Sequence, residues 1–147
     1  MKVFLDTNVL ASAAATRGLC ADVLREVFAS HELFISDQVR IELRRVLQLK
    51  FGVSQELIDE FIELLKRYSI LAPPGERPSI ELRDGDDLSI LGAAISAGAE
   101  VLVTGDQELL ELKRISNLEV LSPRQFWEKL KAQQQLGGRR KRPRRSR

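Results

Sequence analysis

The chain has 147 residues, of which 44% are hydrophobic and 30% charged, and its formal net charge is +2. This length predicts one domain with a core large enough to fold without cross-links. A single cysteine, Cys20, excludes an intramolecular disulfide. No run approaches the roughly 18 apolar residues of a membrane span, and the apolar run after Lys2 is too short for a signal peptide. We therefore expect a cytoplasmic protein with no membrane association.

Short β-branched and aromatic runs alternate with longer helical patterns, which predicts an α/β fold with a mainly parallel sheet. The predicted strands are 2–6, 32–36, 69–72, 101–104 and 118–121. The predicted helices cover about 19–30, 37–49, 55–68, 86–98 and 106–112, and a last one begins at 123. Ser36 and Ser54 are placed to cap helices, and Ser122 opens a capping box that Gln125 closes.

The basic residues are concentrated at the C-terminus, where residues 137–147 hold seven of the 23 basic residues and no acidic one. The remaining 16 basic residues face 21 acidic residues, so residues 1–136 have a net charge of −5. We predict a globular domain over 1–132 and a disordered basic tail over 133–147.

Two acidic residues follow predicted strands. Asp6 ends the first strand, and Asp106 comes just after the strand 101–104. In open α/β sheets, ligands bind at the carboxyl ends of the strands. If these two strands are parallel and central, both carboxylates emerge at the same edge of the sheet. A helix cap is the structural alternative for Asp106.

Glu42 lies on the apolar stripe of its helix, between Val39 and Val46. A carboxylate that faces inward is costly unless it is paired or bound to a cation. A local ion pair with Arg45 is one explanation, and an opening of the stripe onto a metal site is the other.

The segment from Asp84 to Asp87 begins a helix. Helical register aligns Asp87 with Ile90 and Leu91 on the face that packs on the sheet, whereas Asp86 points toward the flank. We therefore choose Asp87 as a ligand and Asp86 as a cap or supporting residue. The alternative for each is a capping role alone, because aspartate is common at helix starts.

Four carboxylates within a few ångströms cannot all ionise unaided, so Asp6, Glu42, Asp87 and Asp106 together call for a cation. An all-oxygen ligand set selects a hard ion, and we expect one or two Mg²⁺ or Mn²⁺ ions. Hard divalent ions on few carboxylates are typical of phosphate chemistry. The lack of a suitable histidine argues against a Ser-His-Asp or Cys-His enzyme.

The segments that carry these acids resemble, in order and spacing, the motifs of PIN-domain nucleases. The resemblance covers about residues 1–130 and lies in Leu5–Ala13, in Ile35-Ser36 with Ile41-Glu42-Leu43, in Arg83–Asp87 with Ile90-Leu91, and in Val103–Asp106. It is nearest to PIN proteins described as toxin components of toxin–antitoxin pairs. Close relatives often read Asp-Pro-Asp-Asp-Asp at the third motif, where this chain has Gly85 and Leu88.

The resemblance implies a three-layer α/β/α Rossmann-like fold, often dimeric, and metal-dependent cleavage of RNA. By position, Asp6, Glu42, Asp87 and Asp106 would be catalytic and hold the metal. Thr7, Asn8, Asp86 and Thr104 would support them. It also implies that the partners are RNA, a cognate antitoxin and a second copy of the chain. The tail residues expected to bind RNA without sequence preference are Arg139, Arg140, Lys141, Arg142, Arg144 and Arg145.

Three other functions fit parts of the pattern. A haloacid-dehalogenase-type phosphatase needs a second acid two residues after Asp6, where this chain has Asn8. A receiver domain needs a lysine after the last core strand, where this chain has Thr104. The third is a catalytically inactive PIN-like module that binds RNA or assembles with other proteins. The intact set of four acids favours the nuclease.

Overall fold

The computed structural model describes the backbone of residues 1–145 and the side chains of residues 1–136. Six strands form one sheet in the order β3-β2-β1-β4-β6-β5. They are β1 (Lys2–Leu5), β2 (Glu32–Ile35), β3 (Ser69–Leu71), β4 (Val101–Val103), β5 (Arg114–Ile115) and β6 (Leu118–Leu121). Every pairing is parallel except β5 with β6, which confirms the predicted mainly parallel sheet.

Seven helices connect and follow these strands in the described part of the chain. They are α1 (Thr7–Ala15), α2 (Leu19–Ser30), α3 (Asp37–Leu49), α4 (Gln55–Tyr68), α5 (Gly85–Ser96), α6 (Gln107–Leu110) and α7 (Pro123–Arg145). The chain adds strands in one direction from β1 to β3 and then crosses back to β4. Right-handed crossovers therefore place α5 on the opposite face from α1 to α4, which makes three layers.

The buried core lies on both faces of the central strands. β1 and β4 are flanked by strands on both sides. Their central side chains are completely buried, namely Val3, Phe4, Leu102 and Val103. Continuous apolar runs of this kind are typical of parallel strands that helices cover on both faces. The burial of these strands fixes the positions of the residues that follow them.

The predicted helix starts are confirmed in atomic detail. The backbone N–H groups of Val39 and Leu57 donate to the hydroxyls of Ser36 and Ser54 at 3.2 and 3.3 Å. The capping box is reciprocal, because Gln125 N donates to Ser122 Oγ at 3.1 Å while Ser122 N donates to Gln125 Oε1 at 2.9 Å. These bonds satisfy N–H groups that a helix start would otherwise leave unpaired.

Three elements differ from the sequence prediction. Helix α1 and the two-residue strand β5 were not predicted. Helix α7 continues through 133–136, where the tail was expected to begin, and Gln134 Nε2 donates to Glu26 Oε2 of α2 at 3.1 Å. The backbone of α7 continues to Arg145, and the side chains of 137–147 lie outside the described residues, so the predicted RNA contacts of the tail stay predictions.

Among the described residues, no helix combines the length and the apolar composition that crossing a bilayer requires.

Candidate metal centre

Asp6 lies directly after β1, at the carboxyl edge of the sheet. Its N–H continues the ladder by donating to the Val103 carbonyl at 3.0 Å, so its position relative to β4 is fixed. Its side chain is only 6% exposed. Burial raises the pKa of Asp6, while the hydrogen bond from Thr104 and the backbone N–H groups of Thr7 and Asn8 lower it.

Thr104 joins two of the predicted acids. Its hydroxyl donates to Asp6 Oδ2 at 2.6 Å and accepts from the backbone N–H of Asp106 at 3.0 Å. Thr104 is fully buried and follows β4 as Asp6 follows β1. The expectation that the two acids emerge at one edge of the sheet is therefore met, with one threonine hydroxyl between them.

The start of α5 brings Asp87 toward this edge. The helix is capped by Asp84, whose Oδ1 accepts from Asp86 N at 2.9 Å. Of the two roles predicted for Asp86, the cap is therefore wrong, and the supporting role stays a prediction. Helical register explains the rest, since Asp87 is half-buried whereas the Asp86 side chain is exposed. The described hydrogen bonds of Asp86 to other parts of the site involve its backbone, and its carbonyl oxygen also accepts from Gln38 Nε2 at 3.3 Å.

Asp87 and Asp106 are joined by an acid that the sequence analysis missed. One carboxylate oxygen each of Asp87, Asp106 and Glu108 lies within 4.8 Å of the others. Glu108 is held in place by the backbone N–H of Arg83, at 3.1 and 3.2 Å from its two oxygens. A cavity of about 380 Å³ opens here, lined by Arg83, Asp84, Asp87, Asp106, Gln107, Glu108 and Glu111.

The surroundings of this cavity disfavour ionisation of the Asp87 carboxyl group. Burial, which is the largest cause, and the charges of neighbouring acids together raise the pKa of Asp87 to about 7; these acids are Asp106, Asp6, Asp84 and Glu108. Every one of these neighbours is an acid. A cation in the cavity would remove the cost of ionising Asp87.

Glu42 belongs to a second group beside the first. Its Oε1 accepts from the buried Thr7 hydroxyl at 2.9 Å, and its Oε2 accepts from Gln38 Nε2 at 3.2 Å. Within residues 1–136 it makes no ion pair with Arg45, so that alternative is wrong. Glu42 is half-buried as its helical stripe predicts, but it lies outside the group formed by Asp87, Asp106 and Glu108.

The supporting residues behave differently from one another. Thr7 and Thr104 each hold a predicted acid by a side-chain hydrogen bond. The side chain of Asn8 is exposed, and its described contribution is the backbone N–H beside Asp6. Asp106 has two roles, because its Oδ1 also caps α6 by accepting from Leu109 N at 3.0 Å. Asp106 can therefore cap α6 through Oδ1 and still bind a metal through its second carboxylate oxygen.

The residues present fit a hard divalent ion. Oxygens on opposite sides of Mg²⁺ are about 4 Å apart, which is compatible with a group whose oxygens lie within 4.8 Å of one another. The nearby donors are carboxylate oxygens, with no histidine or cysteine among the residues that line the cavity. The arrangement is that of an acidic cavity at the carboxyl edge of a parallel sheet, where α/β proteins bind their ligands.

Fold and site together define an α/β protein with an acidic cavity at the carboxyl edge of its mainly parallel sheet. A sequence profile of the PIN domain matches residues 2–108, most of the chain. The chain therefore belongs to the PIN-domain family, whose characterised activity is nuclease activity.

Solved structures share the fold. The chain is similar to one in VapBC2 from Rickettsia felis bound to a DNA fragment from its promoter, with TM-score 0.60 and 20% identity over 82% of this chain and 97% of that chain. It is also similar to one in VapBC-1 from nontypeable Haemophilus influenzae, with TM-score 0.59 and 24% identity over 84% and 98%. A comparison with curated proteins found no match.

Proposed function

We propose that this protein is an endoribonuclease that depends on Mg²⁺ or Mn²⁺ and hydrolyses phosphodiester bonds in RNA. The observation that carries the proposal is the set of acids at the carboxyl edge, in which burial and four neighbouring acids raise the pKa of Asp87 to about 7. Such a set is stable in its ionised form only with a bound cation. Asp6, Asp87 and Asp106 are the principal ligands that we propose, and Glu108 is added to them.

The chain's own residues orient these carboxylates. Thr104 fixes one oxygen of Asp6 and the backbone of Asp106, so the two acids keep a constant separation. Thr7 and Gln38 hold both oxygens of Glu42 by hydrogen bonds, and Glu42 would act beside these ligands as a further ligand or by orienting a water. When bound, the metal supplies charge neutralisation at a phosphate oxygen and lowers the pKa of a water. Mutations of such supporting residues typically cost 10–100-fold in metal affinity or activity.

RNA as the substrate, and the role of toxin in a toxin–antitoxin pair, rest on family membership and on the fold shared with chains of VapBC assemblies. A cognate antitoxin and a second copy of the chain are the protein partners that we propose. Action in the cytoplasm remains part of the proposal.

The direct test is cleavage of single-stranded RNA by the full chain with Mn²⁺, with Mg²⁺ and with excess chelator. We expect cleavage that the chelator abolishes and that Asp6→Asn reduces at least 100-fold. The matched control is Asp59→Asn, the same chemical change in an exposed acid on α4 that pairs with Arg44. It should cleave as the wild type does, and chelator sensitivity separates this activity from contaminating ribonucleases.

The alternative is an inactive PIN-like module that binds RNA or assembles with other proteins. It predicts that wild type and Asp6→Asn bind RNA equally and that neither cleaves it. Isothermal titration with Mn²⁺ supplies a second measurement, since loss of Asp87 should weaken metal binding whether or not RNA is cut. Metal binding without metal-dependent cleavage of any RNA would overturn the nuclease proposal.

A further inference from the structure

A second cavity lies beside the acidic centre, on the same edge of the sheet. Its volume is about 250 Å³, and its lining includes Ser36 after β2, Ala72 after β3, and Ala93 of α5. Asp6 and Thr104 follow the neighbouring strands β1 and β4. Adjacent strands are about 4.8 Å apart, so the two cavities are roughly 5–15 Å apart along one edge. An extended ligand that crosses the acidic centre can reach the second cavity.

The outer wall of this cavity is a loop held against α5 by two glycines. A Cβ on Gly75 would lie 2.2 Å from the Gly92 carbonyl oxygen, and a Cβ on Gly92 would lie 2.7 Å from the Glu76 carbonyl oxygen. Only glycines permit backbones to approach this closely. The loop therefore has a fixed position relative to α5, and so does the backbone of Arg77, which follows the contact.

Arg77 lies between the two cavities. It lines the second cavity, and its Nη1 is 3.7 Å from the position that a Cβ on Gly85 would occupy, at the first residue of α5. No ion pair within the described side chains involves Arg77, although Arg25, Arg40 and Arg44 each pair with an aspartate. Arg77 is exposed, and a guanidinium without an ion pair is available to an anion from solution.

Gln38 connects this cavity to the acidic centre. Its side chain lines the cavity while its Nε2 donates to Glu42 Oε2 and to the Asp86 carbonyl oxygen. The rest of the wall includes apolar groups from Ala72, Pro74 and Ala93. The lining also contains Asp37, whose carboxylate pairs with Arg40. Arg77 is therefore the cation in this lining that is left for a phosphate, and the apolar groups can contact the rest of a nucleotide.

We propose that the second cavity is a subsite for the nucleotide next to the scissile bond and that Arg77 binds its phosphate. The inference rests on the proposed nuclease function and names a residue that positions the substrate. Residues 1–136 carry a net charge of −5, which repels an RNA strand, so an unpaired arginine beside the acids favours one path for the strand. Arginine also suits this contact because it can hold a phosphate through two parallel hydrogen bonds.

The test compares Arg77→Ala and Arg77→Lys with wild type in steady-state cleavage of a short single-stranded RNA over a series of salt concentrations. For Arg77→Ala we expect KM to rise about tenfold, with kcat within about twofold and a salt slope shallower by about 0.7. Arg77→Lys keeps the charge and should keep the slope, with an intermediate KM. Arg67→Ala, which removes the same charge from the exposed end of α4 at the opposite edge, should match the wild type.

A second measurement separates this proposal from the nuclease proposal. Affinity for the same RNA is measured by fluorescence anisotropy in the Asp6→Asn background, with and without Arg77→Ala. If the wild type cleaves but Arg77→Ala matches Arg67→Ala in KM, affinity and salt slope, the subsite proposal is wrong and the nuclease proposal stands. If the wild type does not cleave, the nuclease proposal fails, and an affinity loss of about tenfold still assigns a phosphate contact to Arg77.

Discussion

Asp87 carries the largest electrostatic cost in the acidic centre, and that cost depends on pH. Its pKa in the folded protein is about 7, above the ordinary value of 3.8. Between these values the folded state binds a proton that the unfolded state has released, so the stability of the metal-free protein falls as pH rises from about 4 to 7. Above pH 7 the cost is fully present, and below pH 4 it is absent.

Replacing Asp87 by asparagine should therefore stabilise the metal-free protein at pH 8 and leave its stability nearly unchanged at pH 4. Because Asp87 is half-exposed, solvent screening reduces the gain to about 1–2 kcal/mol. Thermal unfolding with chelator at both pH values is the measurement. Addition of Mn²⁺ should raise the midpoint of the wild type more than that of the variant.

Asp59→Asn is the control for this prediction. The hydrogen bond from Arg44 lowers the pKa of Asp59, so replacing this carboxylate should not stabilise the protein at pH 8. An Asp87→Asn variant that is less stable than the wild type at pH 8 with chelator present would contradict the view that ionised Asp87 destabilises the metal-free protein.

Single residues show where sequence reasoning is strong. Helical register separated Asp87 from Asp86, because the face of a helix that packs on a sheet is set by its apolar periodicity. It could not reveal Glu108, whose direction depends on an N–H of Arg83, 25 residues earlier in the chain. The available signal was an acid two residues after Asp106 in the first turn of a short helix, which helix-dipole effects also explain.

At the scale of elements, the order of strands brings the acids together. Asp6, Ser36, Ala72 and Thr104 follow β1, β2, β3 and β4, and in a parallel sheet all four lie at one edge. The predicted strands were sufficient for this inference because buried parallel strands have a strong apolar signal. Position along that edge was not predictable, since it depends on which strands are neighbours.

Two elements were missed for identifiable reasons. Helix α1 follows the strand with no acid in its first turn and no side-chain cap, and its alanine-rich sequence has no clear apolar stripe. Strand β5 has two residues, too few for a period of two to be visible, and it pairs antiparallel with β6 at the sheet edge. Packing on the rest of the fold therefore determines both elements more than local sequence does.

The contact between the loop after β3 and α5 makes a prediction about stability. Gly92→Ala places a Cβ 2.7 Å from the Glu76 carbonyl oxygen, and backbone on that side must move. Such overpacking costs about 1–3 kcal/mol, more than the gain of about 0.5–1 kcal/mol from replacing a helical glycine. We expect a net loss of roughly 1 kcal/mol in chemical denaturation.

Gly105→Ala is the matched control, because a Cβ there meets nothing within 4 Å. It should leave the free energy of unfolding unchanged or slightly raised. A Gly92→Ala variant as stable as Gly105→Ala would mean that the loop yields without cost, and the fixed position of Arg77 would lose its support.

At the scale of the whole molecule, charge is divided along the chain. Residues 1–136 have a net charge of −5, whereas residues 137–147 add seven positive charges and no negative one. An acidic body attracts metal ions but repels a polyanion, so affinity for RNA must come from local cations or from the tail. Arg77 is the local cation that we propose, and the tail is the second source.

Deleting residues 137–147 should weaken RNA affinity and flatten its salt dependence, because fewer counterions are released when RNA binds. Each lost phosphate contact reduces the slope of log affinity against log salt by about 0.7 for a single strand. The value of kcat should not change, since the acids that we propose as ligands all lie within residues 6–108. The measurement is RNA affinity between about 50 and 200 mM salt for the full and shortened chains.

The tail and Arg77 should act independently, because one contact is diffuse and the other is fixed beside the acids. Combining the deletion with Arg77→Ala should therefore give a loss of affinity close to the sum of the two losses in free energy. An unchanged salt slope after the deletion would show that the tail makes no contact with RNA phosphates. The RNA affinity of the acidic body would then depend on cations within residues 1–136, among them Arg83, which lines the acidic cavity, and Arg77, which lines the second cavity.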